Sequence, residues 1–183
     1  MRAMILSVLL LAGCAKPLPP PAAATAAVPI DGAAHRLDAV QSNQYLHYAV
    51  GVHIDATPER VWSVLTDGAN IAQWNSTITS FSGDIVQDGA LALQSRAGGK
   101  RTFKLTVSTF EAPQRMVWED GSDSFRGVRT FTLTPSEGGT DFAMKEAFTG
   151  TMMKMIAPKL PDFSADFEAF AADLKSTAEA PAP

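Results

Sequence analysis

Two charged residues of this chain stand where their neighbours are apolar. Over residues 124–134, Phe125, Phe131 and Leu133 alternate with polar residues, and Arg129 shares their parity. Over 140–149, Phe142, Met144 and Phe148 alternate in the same way, and Glu146 shares theirs. Such period-two alternation marks a strand with one apolar face. Glu137-Gly138-Gly139 supplies a turn between the two stretches, which makes them an antiparallel hairpin. If Leu133 pairs with Phe142, the register sets Arg129 opposite Glu146. A charge on an apolar face needs a partner, so the two are expected to form an ion pair. Two roles fit it: bracing the fold, or orienting the polar group of a ligand. Glu146 is also the one carboxylate that can be nominated as a general acid or base.

Other site chemistry finds no support in the residues. His47 and His53 share a strand face but are six residues apart, roughly 20 Å at about 3.3 Å per residue, too far to share one ion. The third histidine, His35, adds no ligand cluster, so neither a metal nor a cofactor is expected. There is no Gly-x-Ser-x-Gly elbow and no glycine loop of the phosphate-binding kind. A recognisable catalytic set is therefore lacking, which leans against an enzyme without deciding it. A formal net charge of −4, with no basic run, argues against nucleic acid as a partner.

The elements that must position the pair can be read from periodicity. Residues 162–175 carry Phe163, Phe167, Phe170 and Leu174 at spacings of four, three and four, one stripe of a helix. Asp162 is placed to cap it, and Pro161 blocks a helix from entering it. Upstream, Tyr45–Ile54 alternates as a first strand, and Thr57-Pro58 opens a short helix with Val61, Trp62 and Leu65 on its apolar face. Residues 70–74 offer a second short helix. Strands are then expected at 77–81, 90–95, 102–111, 115–119, 124–134 and 140–149, with Asp120-Gly121-Ser122 read as a turn. Residues 152–157 read as a helical lead-in broken at Pro158. About seven strands joined by short turns make an antiparallel meander. The fold class is α+β, a sheet curling around the C-terminal helix and leaving a cavity between them; a fully packed core is the competing reading. With 183 residues and 46% hydrophobic content, one domain is expected, at 44–177, with no internal repeat.

The ends read differently. Residues 1–13 have a minimal positive start at Met1-Arg2 and an apolar run, Ala3–Leu11, too short to span a bilayer. The run ends in Leu11-Ala12-Gly13-Cys14, which resembles the lipobox of bacterial lipoproteins. That resemblance implies cleavage before Cys14, acylation of its sulfur with diacylglycerol, and a membrane partner reached through the acyl chains. Several chains, at about 0.8 kcal/mol per buried CH₂, anchor a protein stably. Ala15 after the cysteine implies the outer membrane, facing the periplasm, if the host has two membranes. Residues 14–43 are Ala/Pro-rich and expected to act as a spacer, and 178–183 as a disordered tail.

Across 46–176 the chain resembles the START-like superfamily, also called SRPBCC or polyketide cyclase/dehydrase-like. The carriers are Ile54-Asp55-Ala56-Thr57-Pro58-Glu59-Arg60-Val61-Trp62, Leu65-Thr66-Asp67, Trp74, Gly89, the Pro113 to Trp118 segment, Phe131-Thr132-Leu133-Thr134-Pro135 with Gly139-Thr140, and Glu146-Ala147-Phe148-Thr149-Gly150. The resemblance implies a helix-grip fold, in which a curved antiparallel sheet wraps a long C-terminal helix around a hydrophobic cavity, with two short helices after the first strand. It also implies which sheet face is concave. The candidate lining is then Trp74, Phe103, Trp118, Arg129, Phe131, Met144, Glu146 and Phe148, facing Phe163, Phe167 and Phe170. The expected function is binding of a lipid or other hydrophobic small molecule by a membrane-anchored, monomeric protein; the alternatives are a cyclase- or dehydratase-like enzyme and an interaction module with a filled core.

Overall fold

The computed structural model describes residues 28–38 and 45–181. The expected signal segment, 1–13, and Cys14 lie outside the described residues. The chain runs β1 (His35–Asp38), β2 (Tyr45–Ile54), α1 (Pro58–Leu65), α2 (Ile71–Trp74), β3 (Ile78–Ser82), β4 (Ala90–Ser95), β5 (Phe103–Glu111), β6 (Arg115–Ser122), β7 (Phe125–Ser136), β8 (Gly139–Thr149), α3 (Met153–Ile156) and α4 (Ser164–Glu179). The expected lead-in is α3, which ends at Ile156, and a 3₁₀ turn, Ala157–Lys159, follows it directly with Pro158 inside.

One antiparallel, unclosed sheet holds every strand among the described residues, in the order β1-β2-β8-β7-β6-β5-β4-β3. Its inner face is built by alternation: Leu46, Tyr48 and Val50 of β2, Met116 and Trp118 of β6, Phe131 and Leu133 of β7, and Phe142 and Met144 of β8 are all nearly inaccessible. The hairpin register is the one expected, with Leu133 opposite Phe142 and Arg129 opposite Glu146.

The eighth strand comes from the expected spacer. Residues 28–38 lie on the domain: β1 pairs with the edge of β2, and the Gly32 amide donates to the Gly51 carbonyl at 2.8 Å. A Cβ at Gly51 would stand 2.5 Å from the Pro29 carbonyl oxygen, so only glycine permits this approach. The Ala34 amide donates to Glu168 of α4 at 2.9 Å, which ties the same segment to the helix. β1 escaped periodicity because His-Arg-Leu-Asp has no apolar alternation; it is held by backbone pairing.

Thr57 caps α1 through Oγ1, which accepts the Arg60 amide at 3.3 Å, with Pro58 at the first helical position. Trp62 of α1 is buried and meets Phe110 edge-on at 5.1 Å. α4 begins two residues later than expected and ends four residues later. Asp162 does not cap it; its Oδ1 accepts the amide and hydroxyl of Ser164, and Phe163 occupies the cap position. At the other end Ala178 is buried, so the helix replaces the start of the expected tail. Arg60 donates to the Thr177 and Ala178 carbonyls, a cation at the negative end of the helix dipole.

Candidate functional site

Polar contacts along α4 set its height over the sheet. Arg96, just after β4, donates to Asp166 at 3.0 and 2.6 Å, and the Ser76 amide donates to Asp173 at 2.7 Å. The C-terminal half of the helix packs tightly, with Ala171, Leu174 and Ala178 buried. Its N-terminal half packs on the sheet through Phe167 and Phe170 and also borders open space. There Phe163, Asp166, Phe167 and Phe170 roof a cavity of about 320 Å³, a volume within the range of small-molecule sites.

The floor is mainly apolar: Leu93 of β4, Phe103 and Leu105 of β5, Trp118 of β6, Phe125 of β7, and Met144 and Phe148 of β8. Strand register explains this convergence. Tyr48, Glu146, Arg129 and Trp118 form one row across β2, β8, β7 and β6, and Leu46, Phe148, Gly127 and Asp120 form the next. Each row therefore carries an acidic residue into an apolar wall.

In the first row, Arg129 Nε and Nη2 both donate to Glu146 Oε2, at 3.1 and 2.5 Å. The guanidinium carbon also lies 5.3 Å from the Phe167 ring centroid, so a roof residue covers the pair. The side chains keep 24% and 14% exposure, which places the pair on the cavity wall and not sealed beneath it.

In the second row, Asp120 Oδ1 accepts the Gly127 amide at 3.1 Å. Gly127 is the residue that makes room: a Cβ there would stand 2.6 Å from that oxygen. Among the described residues no cation forms an ion pair with Asp120. Burial pushes the Asp120 carboxyl above the ordinary aspartate range; the Gly127 hydrogen bond, Arg101 and Arg129 oppose the shift, and Glu146 adds to it.

Nine of the expected lining residues meet here: Phe103, Trp118, Arg129, Met144, Glu146, Phe148, Phe163, Phe167 and Phe170. Two do not reach the wall. Phe131 is fully buried, with its ring 4.9 Å from Trp118 and 5.9 Å from Phe170. Trp74 meets Phe170 edge-on at 5.7 Å and does not line the cavity. Sequence reasoning missed Asp120, Gly127, Leu93, Leu105 and Phe125. Asp120 shares parity with Trp118, but Asp120-Gly121-Ser122 resembles a turn; β6 runs on through Ser122. His53 stands elsewhere, with Nδ1 2.8 Å from Asp141 and Nε2 3.2 Å from Asp55, a surface cluster away from the cavity wall.

Residues 46–179 match the family described as polyketide cyclase / dehydrase and lipid transport. No curated protein matches the chain. Among solved structures, the chain is similar to the di-domain ARO/CYC BexL from the BE-7585A biosynthetic pathway, with a TM-score of 0.61 at 15% identity over 78% of this chain and 52% of that one. The chain thus spans about half the length of that relative. It is also similar to a protein from Rhodobacter sphaeroides, with a TM-score of 0.53 at 24% identity over 78% of this chain and 96% of the other. A protein of unknown function from Staphylococcus aureus, SA2116, gives 0.58 at 15% identity over 74% and 94%. At these identities the likenesses establish the fold.

Proposed function

The chain belongs to the polyketide cyclase/dehydrase and lipid transport family, within the START-like superfamily, and from that premise we propose that it binds a lipid or other hydrophobic small molecule while tethered to a membrane through an acylated Cys14. The observation that carries the binding reading is the cavity under the N-terminal half of α4, aromatic on floor and roof, with Asp120, Arg129 and Glu146 in two adjoining rows of the sheet and Arg101, Lys159 and Asp166 elsewhere on its lining. Family and cavity together support a hydrophobic-ligand-binding or cyclase-like domain. The tether rests on Leu11-Ala12-Gly13-Cys14 alone.

Binding is tested on the full chain carrying Cys14→Ser, titrated calorimetrically with fatty acids, quinones and sterol-like probes. A filled cavity gives a negative heat-capacity change on binding. No binding across the panel would overturn the proposal and leave an interaction module with a closed core. The tether is tested separately by expressing the Cys14→Ser chain with its own signal. Loss of the acyl mass and of membrane association is expected, and an unchanged membrane-bound product refutes it.

A cyclase- or dehydratase-like reaction in the same cavity is the second reading. The Asp120 carboxyl favours it, an acid on the wall without an ion-pair partner among the described residues. Release of water from a poly-β-carbonyl compound, followed by mass, separates turnover from binding.

A further inference from the structure

Asp120 gives the cavity a chemical preference that its apolar lining alone does not. We propose that this residue selects ligands presenting an uncharged acceptor oxygen, such as a ketone, ester or quinone carbonyl, to a carboxyl proton carried on its Oδ2. The inference rests on the cavity-binding reading and adds the class of ligand.

The geometry assigns the two oxygens different tasks. Oδ1 already accepts the Gly127 amide, and the absence of a side chain at Gly127 is what lets the carboxyl lie against the β7 backbone. Among the described residues no hydrogen bond reaches Oδ2, and Asp120 is a wall residue of the cavity. With Oδ1 engaged as an acceptor, a proton on this group sits on Oδ2 and can be donated to whatever fills the space.

Most of the charged groups around it are committed to one another. Glu146 from β8 is the acid facing Asp120, and its charge is taken up by Arg129 from β7. Asp166 from α4 is paired with Arg96. Arg101, between β4 and β5, lies over the Phe103 ring at 4.9 Å, and Lys159 of the 3₁₀ turn completes the charged lining. Arg129 is committed to Glu146 and Asp166 to Arg96, so among the described residues no cation forms an ion pair with Asp120, and Arg101 acts on it only through space. Burial favours its neutral form, in agreement with the upward shift described above. A neutral carboxyl donates to a carbonyl oxygen and offers little to an alkane; an ionised one would prefer an ammonium group.

The test is competition against diphenylhexatriene on the full chain carrying Cys14→Ser, using the alkane, ketone, amine and carboxylic acid of one chain length. The ketone is expected to compete about fivefold better than the alkane, the size of one net hydrogen bond. Asp120→Asn should keep that advantage, because its Nδ2 still donates while Oδ1 still accepts from Gly127. Asp120→Ala should lose it. Raising the pH should weaken ketone binding to the parent protein and leave Asp120→Asn unaffected. A ketone no better than the alkane at any pH, an amine that binds best, or an Asp120→Asn variant that behaves like Asp120→Ala overturns the inference. Failure of diphenylhexatriene itself to bind overturns the cavity reading first, and the inference with it. Circular dichroism of each variant separates lost binding from lost folding, and Asp120→Asn, close in size and shape, carries the test if Asp120→Ala unfolds.

Discussion

Arg129 and Glu146 hold each other on a wall that is otherwise apolar, so removing one strands the other. Arg129→Met leaves a carboxylate with 14% exposure and no partner for its Oε2. The expected loss is about 3 kcal/mol, the lower end for broken buried pairs, read from urea unfolding. Adding Glu146→Leu should recover most of it, because an apolar replacement of both partners removes the desolvation cost as well. Recovery would show that the pair serves specificity more than stability. Asp120 makes a prediction of opposite character. Its folded-state pKa lies above the unfolded value, so the native state holds the proton more tightly. Stability from this group is complete below the ordinary aspartate range and falls as pH rises through the raised value. Asp120→Asn should therefore be the more stable protein near neutral pH and lose that advantage in acid. Glu119, on the opposite face of β6, has the reverse sign: burial raises it, but Ser108 and Arg126 outweigh burial and leave it lowered. Its contribution is present above the ordinary glutamate range and is lost as pH falls.

Within α4, one helix performs two jobs on successive turns. Leu174 is inaccessible and belongs to the closely packed half, so Leu174→Ala should cost about 2–5 kcal/mol and leave probe affinity unchanged. Phe163, half-buried at the cavity and edge-on to Tyr48 at 5.5 Å, should show the converse: weaker probe binding with little change in melting. Equal effects of the two substitutions on both measurements would contradict this division. The stripe that unites these residues was legible because helical spacing is a property of sequence. The Arg129–Glu146 register was legible for the same reason, since a short hairpin turn fixes pairing. Depth was not legible. Parity assigns Phe131 to the inner face, but only the height of α4 above each row decides whether a residue meets space or another ring. Asp120 was hidden by a local signal, a turn-like tripeptide overridden by pairing with β7.

The molecule as a whole is fastened at the edge where β1 covers β2. A chain lacking residues 1–38 should melt at a lower temperature and self-associate, because β2 then offers an unpaired edge; melting curves and sedimentation test this. An unaltered melting temperature and a monodisperse sample would show the strap to be dispensable. Beyond that edge, the strand order has a kinetic meaning. β3 to β8 pair with their neighbours in succession, but β2, near the start of the domain, joins β8, residues 45–54 against 140–149. Closing so long a loop is slow, since its entropy must be spent before the ladder repays it. On a ribosome or at a translocation pore, β2 would have to wait, its apolar face uncovered, until nearly the whole domain had emerged. Such a domain stays threadable for most of its synthesis, and the space under α4 comes into being only when α4, its last element, has been delivered.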